Sequence, residues 1–195
     1  PHMNSMAGDG FWLIHTPGQT PRAIDACGCA AQLATIDWYR AQAFNQIPCR
    51  GPLATVTMGG TLAGWHKARE MAPELSPLSA MPLETLLAPA IRLAQKGITV
   101  THSLEAASRK VEAELANQAE YQRVFMPNGR VLQQGELFTN PDLANTLNTL
   151  ANQGLDSAFR SELAAHIARE LEQQGSPLRL SDLNAYRAQE VTPLS

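Results

Sequence analysis

Residues 11–26 read FWLIHTPGQTPRAIDA, and this stretch decides the fold. A nearly continuous apolar run from Phe11 to Ile14 is followed by a turn rich in proline, glycine and threonine, and then by a second short run from Arg22 to Ala26. This pattern predicts two antiparallel strands joined as a β-hairpin. Because the first strand is almost wholly apolar, both of its faces are expected to be buried, and a two-stranded ribbon cannot cover both by itself.

Beyond the hairpin the apolar residues recur at a helical period, so the rest of the chain is predicted to be mostly helical. The first predicted helix runs from Leu33 to Phe44. Thr61 is expected to cap the next one, and Pro82 to open a helix that ends at Gly97. In that last helix a core-facing stripe is predicted, made of Leu83, Leu86, Leu87, Ala90, Ile91 and Ala94. The fold class is therefore α+β, mostly helical, with one β-hairpin and a helical lobe.

The chain has 195 residues and a formal net charge of −3. Its 15 Lys and Arg are scattered, without the basic stripe that binding to a phosphate backbone requires, so nucleic acid is not an expected partner. No run approaches the roughly 18 apolar residues of a membrane span, so a membrane is not an expected partner either. Residues 1–7, starting with Pro1-His2-Met3, are expected to be a cloning remnant and a flexible start. A native leader can have been cut away upstream, which leaves periplasmic and cytoplasmic locations open.

Three cysteines, Cys27, Cys29 and Cys49, make an odd count. Two of them form a C-x-C pair that cannot easily close on itself, so a disulfide framework is not expected. A metal site is not expected, because no histidine lies near the pair in sequence to complete a ligand set. The cysteines are predicted to be buried thiols that pack as small hydrophobic side chains.

Several segments, taken in order, resemble the large-subunit region of γ-glutamyltransferases and their acylase-like relatives. They are GDGFWLI at 8–14, GTLAGW at 60–65, LLAPAIRLA at 86–94, GELF at 135–138, NPDLA at 140–144 and DLNAY at 182–186. The resemblance implies that residues 8–195 are a partial domain of this kind. It also implies a fragment of the αββα fold of N-terminal-nucleophile hydrolases.

The resemblance further implies an activity: a γ-glutamyl group is taken from glutathione or a related amide and passed to water or to an acceptor amine. In that chemistry a threonine exposed by autocleavage is the nucleophile, its own α-amino group is the base, and no cofactor takes part. The cleavage motif is expected downstream of Ser195, in a small nucleophile subunit that would be the missing partner. The chain by itself is therefore expected to be inactive and to hold no catalytic residue.

Thr101-His102-Ser103 resembles the cleavage motif superficially. No glycine-rich oxyanion segment follows it, so Thr101 is not predicted to be a nucleophile. The isolated histidines His15, His66 and His166 are predicted to be packed or surface residues.

One expected substrate contact departs from the family pattern. The resemblance implies an arginine just after the second strand, where it holds the donor's α-carboxylate. In this sequence that position falls on Cys27 or Cys29, and a thiol cannot hold a carboxylate with two charged hydrogen bonds. A glutamyl donor is therefore in doubt, and Arg22 or Arg50 can replace the missing arginine only if the fold brings one of them close.

Two classes of function follow from the sequence. The first is part of an acyltransferase or hydrolase completed by other segments, and the second is a non-catalytic binding or assembly module on the same scaffold. A downstream threonine nucleophile segment would distinguish them. In either case the apolar strand Phe11 to Ile14 predicts a homodimer through the hairpin or an unusually apolar surface patch.

Overall fold

The computed structural model describes residues 5–76 and 78–194, so the predicted cloning remnant at Pro1-His2-Met3 lies outside the described residues. The chain forms two compact units. We call Ser5–Met81 with Gln153–Ser195 the sheet unit, and Pro82–Asn152 the helical unit.

The secondary structure is mainly helical, as predicted. The strands are β1 (Gly10–Ile14), β2 (Arg22–Ala26), β3 (Ile98–Thr99), β4 (Leu137–Phe138) and β5 (Gln189–Val191). The helices are α1 (Ile36–Ala41), α2 (Thr61–Leu75), α3 (Leu83–Lys96), α4 (His102–Leu115), α5 (Ala119–Phe125), α6 (Pro141–Gln153), α7 (Ser157–Arg160), α8 (Glu162–Gln173) and α9 (Leu180–Ala185). None of the described helices is long and apolar enough to cross a membrane.

The predicted hairpin is confirmed and is part of a larger sheet. β1 and β2 pair antiparallel, with Trp12 opposite Ile24 and Leu13 opposite Ala23. β5 adds to the other edge of β2, which places Glu190 opposite Ile24 in a sheet of order β1-β2-β5. The third strand has only three residues, all exposed, and its sequence gives no alternating signal.

The two faces of this sheet differ in their surroundings. The inner face packs against α2, where a Cβ added to Gly64 would lie 2.8 Å from the Cβ of Ala26 and 3.2 Å from Nε1 of Trp12. Ile24 and Ala26 are consequently 1% and 0% exposed. The outer face carries Phe11 and Leu13, which are 70% and 72% exposed. The expectation that both faces of the first strand are buried is therefore wrong for the described residues, and the outer face is an apolar surface patch.

Helices α7, α8 and α9 complete the core of the sheet unit. Phe159 and Tyr186 are buried there with their ring centroids 5.8 Å apart. Ser161 caps α8 by accepting a hydrogen bond from the Leu163 N–H at 3.1 Å. The short connections between these helices keep them packed on one another.

The helical unit has its own core. Val100, Leu104 and Leu132 are buried together, and Phe138 packs against them. Phe138 also ends a stack of three aromatic rings that begins at Tyr121, with centroid spacings of 5.3 and 5.4 Å. The predicted end of α3 at Gly97 is confirmed by a φ of 90°, a conformation that glycine adopts without strain.

Two helix predictions are only partly correct. α1 spans Ile36–Ala41, shorter than predicted, because Thr35 caps it late and Ala43 leaves the helical region with a φ of 64°. In α3 the predicted stripe is buried at Leu87 and Ala94, whereas Leu86 is 46% exposed.

Candidate functional site

The candidate site is the turn that follows β2. Cys27 comes directly after the last residue of the strand, and Gly28 and Cys29 continue the turn. The Cys27 N–H donates to Oδ1 of Asp25 at 2.8 Å, and the Tyr186 hydroxyl donates to the Cys27 carbonyl at 3.0 Å. Both backbone groups of residue 27 are therefore held, so the fold presents its side chain in a defined place.

Glycines let three backbone segments meet at this turn. A Cβ on Gly28 would lie 1.7 Å from the Met58 carbonyl oxygen, and one on Gly60 would lie 2.0 Å from the Ala26 carbonyl oxygen. A Cβ on Gly59 would lie 2.5 Å from backbone atoms of the segment before β1. Because a Cβ at any of these positions would overlap the neighbouring backbone atoms, the close approach requires glycine at all three.

Thr61 ties the segment before β1 to the start of α2. Its N–H donates to the Gly8 carbonyl at 2.9 Å, and its hydroxyl lies 2.8 Å from the same oxygen and 3.0 Å from the Asp9 carbonyl. Gly60 is the residue that caps α2, and Thr61 is the first helical residue. The prediction that Thr61 caps the helix is therefore wrong, because the neighbouring carbonyls take its hydroxyl.

Asp9 completes the turn from the other side. Its Oδ1 accepts a hydrogen bond from the Gly28 N–H at 2.8 Å, and the negative charge of its carboxylate raises the pKa of the Cys27 thiol. Asp9 was not predictable as a site residue from the sequence. Its partner Gly28 lies 19 residues further along the chain, in a different segment. Asp25 had a usable signal, because an aspartate often accepts from the backbone N–H two residues later in a turn.

The environment keeps the Cys27 thiol protonated. Desolvation raises its pKa, and the charges of Asp9 and Asp25 raise it further. A protonated thiol is a poor nucleophile, so Cys27 acts in this site as a neutral polar side chain. Desolvation and the same surrounding groups raise the pKa of Tyr186 to about 12, which keeps its hydroxyl available as the donor to Cys27.

The two predicted site cysteines lie together in the turn, but their predicted burial is wrong. Cys27, Cys29 and Cys49 are all exposed free thiols. The cause is local: the chain leaves the buried strand at Ala26, and the next residues belong to a surface turn.

The fold does not bring Arg22 close to the turn after β2. It is the first residue of β2, and five residue steps of about 3.3 Å put it roughly 16 Å from Cys27. Its guanidinium donates to Glu190 at 2.8 Å and to Glu74 at 2.7 Å, and these contacts raise its pKa. Arg50 donates to the Cys49 carbonyl at 3.4 Å.

The other candidate residues considered from the sequence, Thr101 and the histidines, have structural roles or lie at the surface. Thr101 caps α4, because its Oγ1 accepts from the Leu104 N–H at 3.2 Å. His15 and His166 are exposed, and Nε2 of the half-buried His66 lies 3.4 Å from Glu70 on the next turn of α2. Within residues 5–76 and 78–194, no three His, Cys, Asp or Glu side chains are grouped so as to hold a metal ion.

A cavity of about 380 Å³ lies beside Tyr186 in the sheet unit, and its charged walls pair with one another. Oε2 of Glu70 lies 3.8 Å from Nζ of Lys67, and Asp156 accepts from the Arg160 guanidinium. Arg187 donates to the Tyr186 carbonyl at 2.7 Å. These pairs favour a structural role for the cavity, and the turn at Cys27 remains the candidate site.

Comparison with known proteins agrees with this architecture. The chain covers 35% of the cephalosporin acylase of Bacillus halodurans, with a TM-score of 0.85 and 30% sequence identity over 98% of its own length. It superposes on the γ-glutamyltranspeptidase of Helicobacter pylori with a TM-score of 0.86 at 24% identity, over all of this chain and 55% of that one. The fold is thus an α+β fragment of an N-terminal-nucleophile hydrolase.

The sequence comparisons narrow this class to a family. The family model described as Gamma-glutamyltranspeptidase matches residues 1–195, and the chain belongs to that family. It is 42% identical over 195 residues to the oxamate amidohydrolase proenzyme of Klebsiella pneumoniae subsp. pneumoniae, and covers 36% of it. It is 29% identical over 198 residues to the glutathione hydrolase proenzyme of Escherichia coli, and covers 33% of it. The chain therefore spans about a third of the length of these curated relatives.

Proposed function

We propose that this chain is the large-subunit segment of an amide-hydrolysing enzyme of the family, and that its donor is a short amide instead of a γ-glutamyl compound. The observation that carries the proposal is the neutral, exposed thiol of Cys27 directly after β2. Cys27 is the first residue past the strand, which favours it over Cys29 as the counterpart of the family arginine.

The chemistry of the donor explains why this position matters. In a γ-glutamyl amide three carbons separate the reacting carbonyl from the α-carboxylate, so the donor needs a partner for a remote negative charge. Charged hydrogen bonds of an arginine contribute about 1.5 to 3 kcal/mol each, and a thiol does not replace them. In oxamate the carboxylate is bonded directly to the amide carbon, so it does not extend to a remote position.

The comparisons support a short donor as well. The relative that matches over the full chain at 42% identity is named for oxamate, whereas the glutathione hydrolase proenzyme matches at 29%. The proposed reaction is attack on the amide carbonyl by a threonine of another segment, followed by release of ammonia and hydrolysis of the acyl-enzyme.

The surface of the sheet supports the need for a further segment. Phe11 and Leu13 on β1 and Val191 on β5 are 70%, 72% and 39% exposed on the outer face. Leaving such side chains in water forfeits roughly 1.5 to 3 kcal/mol for each one that could be fully buried. The second sheet layer of an αββα sandwich would cover this face.

The test is a donor comparison on the full-length gene product that contains this chain. Release of ammonia from oxamate and of p-nitroaniline from γ-glutamyl-p-nitroanilide is measured. The value of kcat/KM is expected to be higher for oxamate, because each charged hydrogen bond missing at residue 27 lowers kcat/KM for the γ-glutamyl donor by roughly ten- to a hundredfold. The polypeptide of residues 1–195 is expected to turn over neither donor, with Thr101→Ala as a control for the triplet at 101–103. A higher kcat/KM for the γ-glutamyl donor would contradict the proposal.

A further inference from the structure

Two carboxylates stand beside residue 27. Asp25 lies on β2 and accepts the Cys27 N–H, and Asp9 reaches across from the segment before β1 to accept the Gly28 N–H at 2.8 Å. Both residues are exposed, so the charges face the side on which a ligand can approach the turn. The ion pairs of residues 5–76 and 78–194 include neither Asp9 nor Asp25.

We infer that Asp9 is a specificity-determining residue that makes the surroundings of residue 27 negative, so that they reject anionic groups and accept neutral or cationic ones. As a statement about the enzyme's donor, the inference rests on the proposed function. It goes beyond the loss of an arginine, because a neutral turn would merely fail to bind a carboxylate, whereas this turn repels one.

Contacts of its backbone and of its side chain hold Asp9 in a defined position, so that its negative charge acts on residue 27. Its backbone carbonyl is in contact with the Thr61 hydroxyl at 3.0 Å, and its Oδ1 is held by the Gly28 N–H. The carboxylate therefore cannot swing away from residue 27 without losing a hydrogen bond. Asp25 Oδ1 lies 2.8 Å from the Cys27 nitrogen and Asp9 Oδ1 lies 2.8 Å from the Gly28 nitrogen, so both carboxylates are close to residue 27. Both charges also raise the pKa of the Cys27 thiol.

The charge of Asp9 can be separated from its structural role. The carbonyl oxygen of an asparagine can accept the Gly28 N–H in the same geometry, so Asp9→Asn removes the charge and keeps the hydrogen bond. Asp37→Asn is a matched control, because Asp37 is an exposed aspartate on α1 that is not among the charges acting on Cys27.

The experiment uses Cys27 as its own probe, in the Cys29→Ser/Cys49→Ser background. The Cys27 thiolate attacks a methanethiosulfonate reagent, a disulfide forms and methanesulfinate leaves, and the rate is followed for an anionic sulfonatoethyl and a cationic trimethylammonioethyl reagent. At about 6 Å in water a unit charge changes each rate roughly threefold in opposite directions, so Asp9 contributes roughly tenfold to the cation-to-anion ratio. Rates with 2-mercaptoethanol give the intrinsic ratio of the two reagents.

We expect a ratio well above the intrinsic one at low salt, a fall of roughly tenfold in Asp9→Asn, and little change in Asp37→Asn. A change in thiolate fraction affects both rates equally and cancels in the ratio. The parent ratio should also approach the intrinsic one in 1 M salt, where the Debye length is about 3 Å, and this measurement needs no variant.

A parent ratio equal to the intrinsic one at low salt would overturn the inference, whatever substrate the enzyme uses. A high ratio that survives Asp9→Asn would also overturn it, because the field would then come from other groups. A ratio that behaves as expected, in an enzyme that nevertheless prefers γ-glutamyl donors, would leave the inference standing and contradict the proposed function.

Discussion

The two faces of the three-stranded sheet are made by the same strands and meet different surroundings. On the inner face, the buried side chains of Ile24 and Ala26 pack against the glycine-containing start of α2. On the outer face, Phe11 and Leu13 are mostly exposed although they are as apolar as the inner residues. Both faces carry apolar side chains that burial would stabilise. Only the inner face is buried within the chain, because glycines there let neighbouring backbone segments approach closely.

The comparison also locates the candidate site. Cys27 continues directly from the inner-face residue Ala26, and its carbonyl is held by Tyr186 from the same side of the sheet unit. Changes on the inner face are therefore expected to affect both stability and the turn, whereas changes on the outer face should affect association.

The largest effect is expected at Gly60, where the inner face is tightest. In Gly60→Ala the new Cβ would lie 2.0 Å from the Ala26 carbonyl oxygen, a backbone atom that cannot move aside as a side chain can. The loss should exceed the usual 1 to 3 kcal/mol of overpacking, at about 4 kcal/mol or complete failure to fold. Urea denaturation measures it. In the control Gly8→Ala the nearest atom is an ordinary 3.8 Å away, and a loss as large there would show that the close approach is not the cause.

The next effect compares one apolar side chain from each face. Ile24→Ala empties a site that is 1% exposed and should lower the free energy of unfolding by about 3 kcal/mol. Leu13→Ala changes a side chain that is 72% exposed and should cost less than about 0.5 kcal/mol. Denaturation midpoints of the two variants, taken at a concentration low enough for the protein to be monomeric, provide the measurement. Similar losses would mean that the outer face is covered within one chain.

A smaller effect is expected from the tyrosine that holds the turn. Tyr186→Phe removes the hydrogen bond to the Cys27 carbonyl and should cost about 1 kcal/mol at neutral pH. The pKa of Tyr186 is about 12 in the folded chain, above the ordinary value of 10, so the unfolded chain ionises first. The stability gained from this difference is complete below pH 10 and is lost between pH 10 and 12, by about 2 kcal/mol.

The free energy of unfolding is therefore measured from pH 9 to 12 for the parent and for Tyr186→Phe. The parent should lose more stability than the variant across the window from pH 10 to 12, since other ionising groups contribute equally to both. Parallel curves would contradict the assigned burial of the hydroxyl.

Local signals explain which parts of this structure were predictable. The hairpin follows from two apolar runs and the turn between them, and the end of α3 follows from Gly97. The third strand was not predictable, because three exposed residues acquire their conformation only by pairing with β2. In the candidate site, the place after a predicted strand and a family resemblance predicted Cys27 or Cys29 without deciding between them. Tyr186 was not predictable as the partner of Cys27, since 159 residues separate the two.

The smallest effect on folding, and the largest on association, is expected at Phe11. Its side chain is 70% exposed on the outer face, whereas its neighbour Trp12 points towards Gly64 on the inner face, so Phe11 is the position that tests the surface. At a concentration low enough for the parent to be monomeric, Phe11→Glu should leave the free energy of unfolding within about 0.5 kcal/mol of the parent. Light scattering on residues 1–195 is expected to show self-association of the parent and a monomer for Phe11→Glu. Besides its apolar face, β1 offers an unpaired edge in the described sheet, which favours association.

Leu78→Glu is the matched control, since Leu78 is 79% exposed and lies outside the sheet, and it should associate like the parent. A parent that stays strictly monomeric at high concentration would show that an exposed apolar face of this size does not by itself drive pairing of two copies.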